Sequence, residues 1–187
     1  ERQGLIPTAS LAKILTGLSQ LEKLIETGEF SLDPAKEDVH INVEAFVTEK
    51  HGADAGGRMH IGRSRNDQSA CDMRLYLRSV GLTLFDSVKN LADSLLAQAE
   101  EHTESVMPGF THYQPAMVTT WGHWLCSYVQ GLCRDLERLS FSISLINRNP
   151  LGAAAAFGTS WPIDRKLTTE LLAFAKVDSN TLDCIVS

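Results

Sequence analysis

The chain has 187 residues, 43% of them hydrophobic, so it is long enough to bury a core and too apolar for a disordered segment. With 17 lysines and arginines against 23 aspartates and glutamates, its net charge of -6 argues against binding to nucleic acid or to an anionic membrane. No apolar stretch approaches the roughly 20 residues of a membrane-spanning helix, so we expect a soluble protein that acts on a small molecule.

Two amphipathic helices are predicted in the first third of the chain. The first follows Thr8 and ends at Gly28, because apolar residues recur at steps of three and four. These residues are Leu11, Ile14, Leu15, Leu18, Leu21 and Ile25. The second is predicted to begin at Asp33-Pro34, with the aspartate as N-cap, and to end at Gly52. The glycine-rich residues 52–62 are predicted to be a loop.

Two much longer helices are predicted in the middle of the chain, over residues 69 to about 102 and from Pro115 to Asn149. The first would be roughly 50 Å long at 1.5 Å per residue. Each carries a sustained seven-residue apolar repeat, which is typical of a helix bundle. Because the loop between them is short, we expect them to lie antiparallel. No segment is predicted to form a sheet.

The small, uncharged residues at 151–162 suit either a tight loop against a ligand or another chain, or a plain turn between helices. A further helix is predicted from Asp164 to about Lys176. The cysteines form no CxxC pair, which favours their being small buried apolar residues over disulfides or a zinc site. Free cysteines in turn predict a reducing, cytoplasmic compartment. The cysteines are Cys71, Cys126, Cys133 and Cys184.

Residues 62–68 place two guanidiniums, a hydroxyl and two amides directly before the first long helix. A helix N-terminus offers free backbone N–H groups and partial positive charge, so a carboxylate would bind there. The alternative is an elaborate cap, since Ser64 and Asp67 have capping-box spacing. The sequence leaves both interpretations open.

The six histidines need an interpretation. Thr111-His112 is predicted to lie in a loop between rigid helices, where a histidine is suited to proton transfer, although many loop histidines are plain surface residues. His40 and Glu44 are one helical turn apart, but no third ligand indicates a metal site, so an ion pair or a supporting role is favoured. The remaining histidines show no partner pattern and are interpreted as structural. They are His51, His60, His102 and His123.

Four blocks, in order along the chain, together resemble the argininosuccinate lyase family within the fumarase and aspartase superfamily. The blocks are residues 37–44, 62–68, 108–116 and 149–152. The heptapeptide at 62–68 is specific to argininosuccinate lyases, whereas the Thr-His block is shared with fumarases, aspartases and adenylosuccinate lyases. The resemblance extends from about Gly4 to Ser187.

The resemblance implies an all-α fold, a long-helix bundle of the fumarase and aspartase type that is truncated at both ends. Residues 1–63 would belong to the N-terminal helical lyase domain, and residues 64–187 to the central bundle domain. It also implies a homotetramer in which the subunits pool their long helices and three subunits build each active site.

The reaction implied by the resemblance is the reversible elimination of argininosuccinate to arginine and fumarate, a step of arginine biosynthesis and the urea cycle. A proton leaves the carbon beside a carboxylate, the resulting dianion is stabilised, and the guanidine leaves protonated. His112 would be the general acid or base. Substrate-binding residues would be Thr111, Asn66, Arg65 and Ser64, with Asp38 and His40 lining the site. No cofactor and no metal are implied.

Departures from the family pattern leave alternatives open. Ile61, Tyr113 and Met117 replace the family's usual threonine, leucine and glutamine beside site blocks, so another N-succinyl amino-compound lyase remains an alternative. A non-catalytic, delta-crystallin-like structural protein is a second. A helical oligomerisation module without a ligand is a third, but it leaves the donors at 62–68 unexplained.

The sequence neither begins with Met nor ends in a stop pattern, so we expect it to be cut from a longer chain. The family's Gly-Ser-Ser loop, with its catalytic serine, and the Lys and Glu that follow would fall beyond Ser187. The segment that closes over substrate would precede Glu1. We therefore expect residues 1–187 alone to be inactive.

Overall fold

The computed structural model describes all 187 residues, and helices dominate it. The helices are α1 (Thr8–Glu26), α2 (Val39–His51), α3 (Ala53–Gly56), α4 (Arg65–Glu101), α5 (Trp121–Ile146), α6 (Arg165–Leu171) and α7 (Asp183–Val186). The strands are β1 (Val106–Thr111), β2 (Gln114–Thr120), β3 (Arg148–Asn149) and β4 (Lys176–Val177). β1 pairs with β2 in an antiparallel hairpin, and β3 pairs with β4 in parallel. None of the helices combines the length and hydropathy that crossing a membrane requires.

The chain divides into two compact units. The first comprises residues 1–68, 150–168 and 178–187, and the second comprises residues 69–149 and 169–177. The domain boundary after residue 63 that the resemblance implies stays a prediction.

The first unit contains a small core between α1, α2 and α3. Ile14, Val47 and Ala55 are buried there, with Ile6, Phe46 and Met59 packed against them. Gly17 lets α1 lie close to α2, since a Cβ at that position would come within 2.9 Å of the His51 ring. The predicted extent of α1 is confirmed.

The start of α2 differs from the prediction. Asp33 does not cap a helix: its carboxylate accepts the Ala35 N–H at 2.9 Å and closes a turn instead. The N-cap is Asp38, whose Oδ1 accepts the Ile41 N–H at 2.8 Å. The N-cap of α2 is therefore Asp38 and not Asp33, because Asp38 lies three residues before the Ile41 N–H, which has no partner within the helix.

The second unit is built on α4 and α5, which lie antiparallel as predicted. Near one end of the pair, Arg78 donates to Asn147 Oδ1 at 3.1 Å, and near the other a Cβ on Gly122 would lie 2.5 Å from the Ala99 carbonyl oxygen. Glycine is required at 122 because the two backbones are nearly in contact there. The 37 residues of α4 confirm the predicted long helix.

The helix predicted from Pro115 is wrong over its first six residues, which belong to β2. Val118, Thr119 and Thr120 are β-branched and favour an extended backbone, and a proline is tolerated in an edge strand. α5 begins only at Trp121, where the Thr120 Oγ1 accepts the His123 N–H at 3.1 Å. The prediction that no segment forms a sheet is therefore also wrong, although the fold class remains all-α.

Candidate active site

The first turn of α4 is capped by Asp67, which is fully buried. Its Oδ1 accepts the Ser64 N–H at 2.9 Å, as the capping-box spacing predicted. Its Oδ2 accepts the backbone N–H groups of Gly152 at 3.0 Å and Ala154 at 2.9 Å. The cap is therefore formed by Asp67 and by the Ser64 hydroxyl, which accepts the Asn66 N–H at 3.4 Å, and the side chains of Arg65 and Asn66 take no part in it.

The small-residue loop that follows Pro150 packs against this helix start. Asn66 donates through Nδ2 to the Ala155 carbonyl at 2.9 Å. Arg165 supports the loop from the other side, since its Nε donates to the Leu151 carbonyl at 2.7 Å. Gly152 has φ +92, and a Cβ there would lie 2.7 Å from the Arg165 side chain, so only glycine fits. The loop is thus anchored on both Asn66 and Arg165, and its approach to a ligand stays a prediction.

Arg65 meets Asp38, a residue far from it in the sequence. Arg65 Nε lies 2.5 Å from Asp38 Oδ2, and Arg65 Nη1 donates to Gln68 Oε1 at 2.7 Å. The pKa of Asp38 is lowered, first by the Ile41 N–H that its carboxylate accepts and then by the Arg65 charge. The carboxylate is ionised and pairs with the Arg65 guanidinium, whose Nη1 is bound to Gln68.

His60 extends this cluster. Its Nδ1 lies 2.6 Å from Gln68 Nε2, and its Nε2 lies 3.6 Å from Glu44 Oε2. The ring of His40 packs edge-on against it, with ring centroids 6.2 Å apart. Burial is the main cause that lowers the pKa of His60, which favours the neutral imidazole. Predicted site residues Asp38, His40 and Arg65 are thereby joined in one polar cluster.

Sequence reasoning missed two members of this cluster, His60 and Gln68. His60 was interpreted as structural because it has no partner at helical spacing. Its signal was its position: it lies on the short turn immediately before the donor-rich heptapeptide, whose last residue is Gln68. Glu44 was recognised as a neighbour of His40, and here its Oε2 lies 3.6 Å from His60 Nε2.

Thr111 and His112 lie at the tip of the β1–β2 hairpin, where both are exposed. His112 and Tyr113 form its two-residue turn with φ values of 50° and 61°. Positive φ at both central positions is normally met by Asn-Gly, so this turn carries backbone strain. Backbone strain of this kind is concentrated at functional sites, and the His112 side chain is exposed at this turn.

The predicted site residues are divided between the two compact units. Thr111 and His112 belong to the second unit. The first unit contains the others, namely Asp38, His40, Ser64, Arg65 and Asn66. No three His, Cys, Asp or Glu side chains are grouped as ligands of a metal ion would be.

Comparison with known proteins gives one family and several close relatives. The family model described as Lyase matches residues 1–186. Argininosuccinate lyase of Geobacillus thermodenitrificans is 43% identical over 182 residues, covering 97% of this chain and 39% of that protein. The chain thus spans about two fifths of the length of the curated relatives it matches.

Solved structures share the fold. An EDDS lyase variant with bound fumarate is 32% identical, with a TM-score of 0.89 over 98% of this chain and 36% of that chain. The class II fumarase of Schistosoma mansoni, 17% identical, has a TM-score of 0.75 over 98% of this chain and 46% of its own. The all-α bundle of the fumarase and aspartase type predicted from the sequence is confirmed.

Proposed function

Because the chain belongs to the lyase family, we propose that the protein catalyses the reversible elimination of fumarate from argininosuccinate, releasing arginine. The observation that carries this proposal is the 43% sequence identity with the argininosuccinate lyase of Geobacillus thermodenitrificans, over an alignment that covers 97% of the chain. The cluster around Arg65 supports it, since a fixed guanidinium is suited to a substrate that carries carboxylates.

Within this proposal, Arg65 and Ser64 hold the carboxylates of the succinyl group, and Asn66 and Thr111 complete the binding contacts. Asp38 and His40 line the site. Arg65 is favoured for a direct role because its guanidinium is held by Asp38 and Gln68 and its side chain stays partly exposed. Ser64 contributes a hydroxyl at the first turn of α4, where backbone N–H groups add partial positive charge.

His112 is the proposed general acid or base. It is exposed on the hairpin turn, so its imidazole is accessible to a substrate. Proton transfer at carbon and at nitrogen requires two groups, and His112 supplies one of them. The dianion that forms when the carbon loses its proton gains stabilisation from the proposed carboxylate-binding groups.

The direct test of the proposal is fumarate release by the complete gene product, followed by ultraviolet absorbance with argininosuccinate as substrate. EDDS lyase as a structural neighbour, together with Ile61, Tyr113 and Met117 beside the site blocks, favours a second candidate, another N-succinyl amino-compound lyase. Fumarate released from such a compound but not from argininosuccinate would select it. No release from any N-succinyl compound would favour the non-catalytic, delta-crystallin-like alternative.

Replacing Arg65 with Ala is expected to raise KM for argininosuccinate by about tenfold to a hundredfold, because a hydrogen bond to a charged group contributes about 1.5–3 kcal/mol. Asn66→Ala is expected to act in the same direction. Steady-state kinetics measures KM, and the melting temperature is the companion measurement. If either variant lowers only the melting temperature, that residue has a structural role and does not bind substrate.

We also propose that the protein assembles as a homotetramer with shared active sites. Large apolar side chains on one side of α4 are exposed in the isolated chain. An apolar stripe of this length is typical of a surface that another subunit covers. These side chains are Met73, Leu77, Val80, Leu84 and Leu91. We expect light scattering of the complete protein to give four times the subunit mass, and a monodisperse monomer would refute the assembly.

The cytoplasmic location, inferred from the cysteine pattern, stays a prediction. The same holds for the expected inactivity of residues 1–187 alone.

A further inference from the structure

Gln68 connects Arg65 to His60 through the two ends of its amide. Arg65 Nη1 lies 2.7 Å from one end and His60 Nδ1 lies 2.6 Å from the other. A guanidinium has only donors, so the end that faces it must be the oxygen. The nitrogen of the amide therefore faces the imidazole and donates to it.

This orientation determines the protonation of His60. Because Gln68 donates to Nδ1, that nitrogen must be bare, and the single proton of the neutral ring lies on Nε2. Nε2 is buried without a hydrogen-bond partner, and the nearest carboxylate oxygen, on Glu44, is 3.6 Å away. Sequence alone gives no reason for a histidine to be kept in this one tautomer.

The surroundings of His60 oppose a second proton. Burial lowers the pKa of the ring most, the Glu44 carboxylate raises it, and the charges of Arg65, Arg63 and His40 lower it. A proton on Nδ1 would also point at the Gln68 amino group. Gln68 would then have to turn over, placing its nitrogen against the donors of Arg65. The bond between Gln68 and Arg65 therefore depends on neutral His60.

We infer that His60 and Gln68 are positioning residues that hold the Arg65 guanidinium in place for a substrate carboxylate. The inference rests on the proposed function, in which Arg65 binds the substrate. Asp38 fixes Nε and Gln68 fixes Nη1, so the arginine side chain loses its rotamer freedom before substrate arrives. The partly exposed guanidinium is thereby presented to a substrate carboxylate in one orientation.

The first experiment measures KM and kcat in the complete gene product with argininosuccinate as substrate. His60→Leu and Gln68→Leu each break the connection, so we expect KM to rise by about tenfold with a smaller change in kcat. His60→Asn places an amide oxygen near the position of Nδ1, so Gln68 keeps an acceptor and KM stays near the unsubstituted value. The matched control is Gln20→Leu, which removes another glutamine–histidine contact, 2.9 Å to His51, and should leave both constants unchanged.

The pH dependence separates positioning from a structural role. In the unsubstituted protein, KM should rise below the usual imidazole pKa of about 6.5 as His60 gains a proton and Gln68 turns. In His60→Asn that acid rise should be absent, because Asn does not titrate. Equal acid profiles in the two proteins, or an unchanged KM in both leucine variants, would overturn the inference while fumarate release still upheld the proposed function.

The second experiment does not depend on activity. Nitrogen-15 NMR of histidine-labelled complete protein should show His60 with a bare Nδ1 and a protonated Nε2. Gln68→Glu places a carboxylate oxygen opposite Nδ1 and should convert His60 to the doubly protonated ring near neutral pH. A protonated Nδ1 in the unsubstituted protein would refute the inference even if no lyase substrate were found. Because the NMR measurement uses the unsubstituted protein, it still tests the inference if a leucine variant fails to fold.

Discussion

If the proposed function holds, we expect His112→Asn to lower kcat for fumarate release from argininosuccinate by about a hundredfold or more in the complete gene product, since a positioned general acid or base contributes roughly 10²–10⁴-fold. Folding is expected to be intact. His112 has φ 50°, and Asn adopts this left-handed conformation more readily than histidine does. The substitution therefore removes the imidazole without adding backbone strain, and steady-state kinetics with circular dichroism measures both effects.

The control is His123→Asn, which changes another exposed histidine of the same compact unit. His123 contacts the Thr119 hydroxyl at 2.8 Å and has no proposed part in the reaction, so turnover should stay at the unsubstituted level. An unchanged rate in His112→Asn would remove His112 from the mechanism. A comparable loss in both variants would show that the hairpin, rather than the imidazole, is what the reaction needs.

Replacing Asp67 with Ala is expected to destabilise the start of α4 and the loop after Pro150 by about 3 kcal/mol or more. Three backbone N–H groups lose their acceptor, the buried one of Gly152 and the partly buried ones of Ser64 and Ala154, and an unsatisfied donor costs about 1–3 kcal/mol when it is fully buried. Native-state hydrogen exchange should show the amides of Gly152 and Ala154 exchanging about a hundredfold faster, as 1.4 kcal/mol corresponds to a factor of ten.

Two comparisons test the reason for this loss. Asp67→Asn keeps one oxygen acceptor but turns an amino group toward an N–H donor. The amides of Gly152 and Ala154 should therefore exchange faster than in the unsubstituted protein and more slowly than in Asp67→Ala. Asp93→Ala removes an exposed ion pair with Lys89, 2.6 Å long, and should change stability by less than about 0.5 kcal/mol. Unaltered protection at Gly152 and Ala154 in Asp67→Ala would show that water replaces the carboxylate without loss.

The helices were predictable from sequence where one periodicity was unambiguous. α1 and α4 repeat their apolar residues without competition from another pattern, and both were predicted close to their observed extent. β2 was missed because Val118 happens to continue the three- and four-residue steps of α5 backwards. The stronger signal was local: Val118, Thr119 and Thr120 are three β-branched residues in a row.

The site was predictable in its parts but not in its assembly. The donor density before α4 and the cap formed by Ser64 and Asp67 follow from residue type and spacing. The pairing of Asp38 with Arg65 does not, because no local pattern relates positions on two different helices. His60 was missed for the same reason, since its partners Gln68 and Glu44 are brought to it only by tertiary packing.

The anchoring of the loop after Pro150 by Asp67 has a consequence for the order of folding. The two hydrogen bonds join residues 85 and 87 positions apart, whereas the turns of α4 close over four. Bringing the ends of so long a segment together lowers the chain entropy before the bonds can form. Contacts of this kind therefore form late and lower the folding rate. We therefore expect the bundle helices to form first, with the wall beside Asn66 completed only as the last native contacts close.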